Sequence, residues 1–525
     1  MTRPRVQRLP VGSKGMWSNM LTGIDYLLDR ITMYRLALYV LAGLVAIAMV
    51  LSYLQLLPFS PLELLVSTAF LILICWAANS ILAGIFAVPA NIESTYITAL
   101  ILALIIDPAK SLDNFMFLGW AAILAISSKY ILALNNKHIF NPAAIAVVIT
   151  SFALGESASW WIGTASMLPA MLIGGVLVVR KLRQGEVIAL FIATSLVTVC
   201  VVSLLQHLSI VRELQQLLIA APLFFFAAIM LTEPLTAPPT QKLKYIYALI
   251  VGVLFIPQIH LGRIYSTPEL ALVVGNIYSY VVSPKQKVAL KLKRKSKIAS
   301  DIVDFVFKSP QKLVFEPGQY MEFTLAHPKP DSRGVRRFFT LASSPTEEDI
   351  RLGVRFYNNS SSFKQSLYRI DSRTKMMAGQ IAGDFTLPHD PEQKLVFIAG
   401  GIGITPFRSM LKYLLDTQQP RNIVLFYANR TVDEIAYKDV LSEAQAKLGV
   451  RIFYTLTGTE TLPRNWSGLV GAINERMIRE AVPDYADRVY YLSGPPGMVR
   501  AYERVLKDIG IGGSQIKKDF FPGLV

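Results

Sequence analysis

The chain has 525 residues, 53% of them hydrophobic, with a formal net charge of +16 and a mean hydropathy of +0.43. So much apolar surface over this length excludes a wholly water-soluble enzyme. The two cysteines, Cys75 and Cys200, both lie in apolar runs, which excludes a four-cysteine iron–sulfur cluster and any CxxC centre.

Lys and Arg gather beside the apolar runs rather than along one recognition element. That placement argues for membrane orientation and against nucleic acid as a partner. The histidines are His138, His207, His260, His327 and His389, and the first three fall among the apolar runs with no pair at helical spacing. Stacked bis-histidine haem needs two such pairs, so no haem is expected, and no metal site.

In chain order, residues 1–32 are basic and mixed, and read as a cytoplasmic N-terminal segment rather than a cleavable signal peptide. Residues 33–284 read as a polytopic α-helical membrane domain of about ten spans. The spans are read near 33–57, 61–87, 92–106, 115–134, 141–154, 166–180, 186–206, 215–231, 243–258 and 268–283. An even number puts both termini on one side. Arg3, Arg5, Arg8, Lys14, Arg30, Arg35, Arg180, Lys181, Arg183, Lys242, Lys244, Lys285 and Lys287 all fall on that side. The positive-inside rule makes it cytoplasmic. The expectation is a multi-pass cell-membrane protein.

Two polar, Pro-containing stretches interrupt the spans: Asn136 to Ala144 (NKHIFNPAA) and Leu231 to Pro239 (LTEPLTAPP). Irregular backbone at that depth is tolerated when buried in protein or lining a cavity. Their spacing suggests paired broken helices of an inverted repeat with a site between them. Glu233 is the sharpest candidate there, since a buried carboxylate needs a partner or a role. The plainer reading makes it a solvated helix-end residue. His138 reads as a helix-end hydrogen bonder.

The segments SKYILALNNKHIFNPAA, MLIGGVLVVRK and MLTEPLTAPP resemble the Rnf/Nqr-like membrane family, found in the Rnf and sodium-pumping NADH:quinone reductase complexes, over roughly residues 30–283. That resemblance implies a second flavin (FMN or riboflavin) or a quinone in the membrane domain. The family's S-G-A-T-like segment for covalent flavin is absent. The nearest run, Gly163-Thr164-Ala165-Ser166, reads as a helix start capped by Thr164 or Ser166.

Beyond the membrane part the pattern changes. In KQKVALKLKRKSK (285–297), seven of thirteen residues are Lys or Arg, a basic patch for anionic headgroups that doubles as a first strand. Residues 285–390 then read as a small antiparallel β-barrel and 391–525 as an α/β nucleotide-binding domain. The run Arg337-Phe338-Phe339-Thr340 suits a flavin: Arg337 can clamp a pyrophosphate, Phe339 can stack and Thr340 can hydrogen-bond the ring edge. In KLVFIAGGIGITPFRSM, Gly400, Gly401 and Gly403 permit a tight turn after a buried strand. Thr405 then caps a helix with Pro406 at its first position, facing a phosphate. Further strands are read at 422–428, 451–456 and 489–492, the last leading into Ser493-Gly494-Pro495-Pro496.

These motifs, in this order, resemble the ferredoxin–NADP⁺ reductase superfamily over 285–525. The resemblance makes 285–390 the FAD-binding barrel and 391–525 the NAD(P)-binding domain. It implies FAD at Arg337, Phe338, Phe339, Thr340, Ser361 and Ser362, and the nicotinamide nucleotide at Gly401, Gly403, Thr405, Pro406, Gly494 and Pro495. Asn429 and Arg430 would touch the adenosine end and Phe521 would cover the isoalloxazine. Thr340 and Ser493 are the expected catalytic residues, Ser493 standing where many members carry Cys.

The reading is a membrane NAD(P)H-dependent flavoprotein oxidoreductase, passing electrons from cytoplasmic NAD(P)H through FAD into or across the membrane. The acceptor would be a flavin, a quinone or a downstream redox protein. The alternatives are a transporter or channel with a redox-sensing reductase module, and a reductase merely anchored by the membrane half.

Overall fold

The computed structural model describes residues 23–24, 28, 31–86, 92–134, 137–283, 287–331, 334–358, 360–458 and 462–519. Arg3, Arg5, Arg8, Lys14, Arg30, Asn136, Lys285, Phe520 and Phe521 lie outside them.

The N-terminal half is helical, and its helix starts carry local signals. Ser60 and Glu63 form a capping box with Pro61 in the first turn. Asn141 caps the helix Pro142–Leu154 and Thr267 caps Pro268–Val282, each with Pro following. Helices Met33–Tyr53, Pro61–Ile85, Leu112–Ile131 and Gly185–Leu205, with Ala165–Leu182, are five that are long and apolar enough to cross a bilayer. The pair Ile210–Ala220 and Leu223–Met230, bent by 56°, makes a sixth if it is one span. Pro222 stands between the members of that pair, each of which ends in a π-helical segment; Pro and π-bulges are known causes of such kinks. Ile92–Ile105, Pro142–Leu154 and Pro268–Val282 are shorter apolar helices. The 14 residues of Ile92–Ile105 extend only about 21 Å, against a hydrocarbon core of about 30 Å. Several apolar helices are therefore present, but length alone does not support ten spans.

One correction concerns 163–166. The helix beyond it starts at Leu168, with Met167 before it and no side-chain cap. Ser166 Oγ donates instead to Leu56 O at 3.2 Å, and the Thr164 hydroxyl is buried without a partner. Two 3₁₀ turns, Trp161–Gly163 and Ala165–Met167, consume the residues expected to form the cap.

The two polar breaks meet. Asn141 Nδ2 donates to Glu233 Oε2 at 2.9 Å across 92 residues of sequence, and Thr236 Oγ1 donates to the same oxygen at 3.2 Å. Asn141 N donates to Asn276 Oδ1 at 2.8 Å. Glu233 is thus a partnered, half-buried residue on the wall of a cavity of about 70 Å³ shared with Tyr34, Asn141 and Lys181, not a solvated loop carboxylate.

The C-terminal half holds two six-stranded sheets. The first is antiparallel: β5 Val288–Ala299, β6 Ile302–Lys308, β7 Tyr320–Thr324, β8 Arg336–Thr340, β9 Ile350–Arg355 and β10 Lys375–Ala382, in spatial order β8-β7-β10-β5-β6-β9. These labels follow four short strands in the membrane half, β1 Ala133–Leu134, β2 Lys137–His138, β3 His260–Leu261 and β4 Ile264–Tyr265. His138 sits in one of these two-residue hairpins rather than at a helix end. Val288 and Leu290 of the basic strand β5 turn inward while its lysines stay wet. Among the described residues the edge strands β8 and β9 form no ladder with each other. The chain after β8 reaches β9 through Ala342 N donating to Arg351 O at 3.0 Å.

The second sheet is parallel: β11 Leu395–Gly400, β12 Ile423–Asn429, β13 Arg451–Leu456, β14 Leu469–Val470, β15 Val489–Ser493 and β16 Ile516–Lys518. β11 and β12 are buried along their whole length, as strands covered by helices on both faces must be. The chain runs from β11 to β12 on one side and returns to β15 on the other, so the strand order reverses between β11 and β15. Crevices at such switch points, beyond the carboxyl ends of the strands, are where ligands bind.

Candidate functional site

A cleft of about 420 Å³ opens at that switch point, between the two sheets. Its size suits a small-molecule site, which typically spans roughly 300–1,000 Å³. β8 contributes Arg337, Phe338, Phe339 and Thr340; the β11 turn contributes Gly403 and Thr405; the end of β15 contributes Ser493 and Gly494. Ser361 also lines it, capping the helix Ser362–Arg369 through Lys364 N.

Close packing shapes the floor. A Cβ on Gly403 would lie 2.3 Å from Ser493 O and 2.6 Å from Gly494 N, both backbone atoms. Gly403→Ala must therefore push β11 and β15 apart. We expect a loss of about 2 kcal/mol or more, read as a fall in Tm.

Other sequence-identified residues stand outside the lining. Ser362 Oγ accepts from Asp331 N at 2.8 Å and bonds His327 Nε2 at 3.0 Å, so it knits the wall instead of facing the cleft. Gly401 has φ +52, and a Cβ there would meet Arg355 at 2.9 Å, which explains the glycine without a ligand. Thr405 lines the cleft but does not cap: the 3₁₀ turn Gly401–Ile404 precedes the helix, Ile404 takes the cap position and Thr405 Oγ1 donates back to Ile402 O at 3.1 Å. Pro406 is buried inside that helix start. Pro495 and Arg430 do not line the cleft. Asn429, ending β12, has both side-chain polar atoms buried without a partner. Phe521 lies outside the described residues.

Sequence reading missed several lining residues. Arg355, Tyr357 and Lys364 form one wall, with Arg355 Cζ 5.6 Å and Lys364 Nζ 5.4 Å from the Tyr357 ring centre. Tyr357 is 59% exposed, an aromatic face turned to a ligand-sized space. No motif marks this wall; the end of β9 brings Arg355 and Tyr357 to the cleft, and the helix Ser362–Arg369 brings Lys364. Arg337 is held by Asp331 at 3.1 Å and lies over Phe363, a fixed orientation for a planar cation.

At the deep end three residues converge. Ser493 Oγ donates to Asp519 Oδ2 at 2.9 Å, and Thr340 hydrogen-bonds the same carboxyl. Burial pushes the Asp519 carboxyl up to about 7, while those two hydroxyls pull the other way. A carboxyl poised near neutrality beside two hydroxyls can hold or release a proton at working pH. Asp519 is legible in sequence only as the start of an aromatic tail.

The cleft abuts the membrane half. Phe338 lines both the cleft and a pocket of about 50 Å³ at the junction, whose other walls include Pro234, Ala237, Pro238 and Pro239. Pro234 in turn lines the cavity that holds Glu233. Gln241 N, at the start of the helix Gln241–Leu254 of the N-terminal half, donates to Asp384 Oδ1 and Oδ2 at 3.1 and 3.0 Å.

Comparisons with known proteins match the two halves separately. Residues 158–284 match the NQR2, RnfD, RnfE family model, and residues 397–504 the oxidoreductase NAD-binding domain model. The reductase subunit Stc4 of stachydrine N-demethylase from Rhizobium meliloti is 27% identical over 42% of this chain and 63% of that protein. A flavohemoprotein from Burkholderia sp. is 30% identical over 44% of this chain and 58% of its own length. Among solved structures, Amycolatopsis cytochrome P450 reductase GcoB aligns with 24% identity and a TM-score of 0.40, over 45% of this chain and 70% of that one. The chain spans about 60% of the length of the curated relatives it matches. The N-terminal half thus resembles the NQR2/RnfD/RnfE family, and the C-terminal half the reductases of the ferredoxin–NADP⁺ kind.

Proposed function

We propose that the chain is a membrane NAD(P)H-dependent flavoprotein oxidoreductase whose reductase module delivers electrons directly to its own membrane half. The observation that carries this reading is the shared wall. Phe338 belongs to the cleft and to the junction pocket, and Pro234 to the junction pocket and the membrane cavity. The cleft therefore adjoins the TEPLTAPP loop through Phe338, a route that needs no iron–sulfur relay.

The residues present fit FAD. Arg337, Lys364 and the helix start at Ser361 offer phosphate donors, Phe339 and Tyr357 offer ring faces, and the Thr340 hydroxyl lies at the deep end. When bound, a flavin accepts hydride and returns electrons singly. Thr340, Ser493 and Asp519 orient the reacting edge and hold the proton that accompanies hydride. In the membrane half, the Asn141–Glu233 contact supports the paired-break reading of an inverted repeat. The acceptor is then a flavin or a quinone held there, and the reductase module is cytoplasmic, where NAD(P)H is.

The test is anaerobic reduction of the purified full chain in detergent, followed by turnover with a short-chain quinone and, separately, with ferricyanide. Bleaching of FAD by NAD(P)H and turnover with both acceptors is the expected result. Bleaching and ferricyanide turnover without any membrane-side acceptor would overturn direct delivery, and would favour a redox-sensing module on a transporter.

A further inference from the structure

We propose that Arg183, carried by the membrane half, is a binding residue of the nucleotide cleft and takes a phosphate of a bound dinucleotide. This rests on the reading of the cleft as a dinucleotide site.

Arg183 is the one residue of the membrane half among those lining the cleft. It follows the helix Leu168–Leu182, and the backbone on both sides of it is fixed. Lys181 Nζ donates to Leu28 O at 2.8 Å. Gln184 is buried and lines the junction pocket together with Pro234 and Phe338. The turn is therefore pressed between the two halves, while the Arg183 side chain stays exposed at the cleft.

Its backbone is the second observation. Arg183 has φ +53, the left-handed region. A residue with a Cβ gives up about 1 kcal/mol or more there, whereas glycine would sit without cost. A cation near a helix C-terminus gains a few tenths to about 1 kcal/mol, but Arg180 and Lys181 already occupy the last turn.

The cleft says what it would meet there. Its lining carries the cations Arg183, Arg337, Arg355, Lys364, Arg500 and Lys518 against the acids Glu503 and Asp519, while Asp331, just outside it, pairs Arg337, and Asp301 and Glu434 pair Arg355. Glu503 is already engaged by Lys507 and Lys518. A planar guanidinium on a cationic wall matches phosphate oxygens in a way that a lysine ammonium does not. Since both flavin and nicotinamide dinucleotides carry a pyrophosphate, either could supply the group. A ligand gripped from both halves also favours the docked arrangement, because it binds that state more tightly than the parted one.

Arg183→Gly, Arg183→Ala and Arg183→Lys in the full chain test this. Ferricyanide turnover against NADH and NADPH gives KM and kcat, and reconstitution of flavin-stripped protein gives the affinity for FAD. Arg183→Gly relieves the backbone while removing the cation. The expected result is a rise of about tenfold in the KM for nucleotide, or in the dissociation constant for FAD, at unchanged saturated kcat. Arg183→Lys should recover part of the loss. Whichever ligand is affected identifies whose phosphate Arg183 holds. An Arg183→Gly chain that binds both dinucleotides like the wild type would overturn the inference, while the proposed reaction would stand. A wild-type chain that neither retains FAD nor oxidises NAD(P)H would remove both.

Discussion

Replacing Asp384 by lysine is expected to cut quinone turnover by roughly 30- to 100-fold while leaving ferricyanide turnover at the wild-type level. The carboxylate of Asp384, from the reductase half, accepts from Gln241 N, the first residue of the helix Gln241–Leu254 in the other half. That helix needs the contact: Thr240 stands at its cap position, and its side chain makes no cap hydrogen bond. Asp384 therefore caps a helix of the other half, where a negative charge meets the positive end of the helix dipole. Beside it Gly383 N donates to Pro239 O at 3.4 Å. The contact is solvent-exposed, so losing it alone costs only about 1 kcal/mol. Lysine does more, because it sets a cation against the helix start and beside Lys244 and Lys517, both of which feel the Asp384 charge. The swing of about 2–3 kcal/mol corresponds to that fold-change in the docked population. Asp384→Asn should lie between, since its amide oxygen still accepts. Asp384 does not line the nucleotide cleft, so ferricyanide, served by the reductase module itself, reports that the module is intact. Equal losses with both acceptors would mean that the docking contact does not govern delivery.

What the sequence makes legible follows from the range of the forces involved. Phe338, Thr340, Gly403 and Ser493 are recognisable because each stands in a local pattern: a strand end, a glycine run after a buried strand, a turn after another. All four line the same cleft. Thr405 shows where local rules fail. A threonine before proline is a sound cap in isolation, but a 3₁₀ turn displaces the helix start by one residue, and no propensity encodes that. The helices Ile92–Ile105 and Pro142–Leu154 are apolar enough to read as spans, yet too short to be counted as such. Hydropathy reports burial, and burial inside a helical bundle looks the same as burial in lipid. Tyr357, Arg355, Lys364 and Arg183 carry no motif. They reach the cleft through the end of β9, the helix Ser362–Arg369 and the docking of two domains, long-range facts that a single chain does not display.

Asp519→Asn should have opposite effects on chemistry and stability. The carboxyl is held near 7 chiefly by burial, far above the ordinary range for Asp of about 4. The folded chain therefore binds this proton more tightly than the unfolded one. Stability must fall as pH rises from about 4 to about 7, and level off above that. The cost above pH 7 is at most about 4 kcal/mol for a shift of this size, and less for a residue that is only half-buried. Asparagine keeps the shape and removes the charge, so the variant is expected to melt higher than wild type at pH 8 and by a clearly smaller margin at pH 5. Hydride transfer should move the other way. Asn can still accept from Ser493 Oγ, which lies 2.9 Å from the carboxyl, but it can neither take nor return a proton. The loss expected in the rate of flavin reduction by NAD(P)H is about 100-fold, the lower end of what a positioned acid or base supplies. The pH profile of that rate should lose its inflection near 7, whereas a purely structural Asp519 would leave the inflection in place. Stopped-flow reduction from pH 5 to 9, with thermal melts at the same values, measures both signs on one pair of proteins. A variant that melts lower at pH 8, or one that keeps the inflection, would show that Asp519 is not the group that titrates. The strain of keeping this carboxyl buried would be the sort of local destabilisation that reactive sites retain for function.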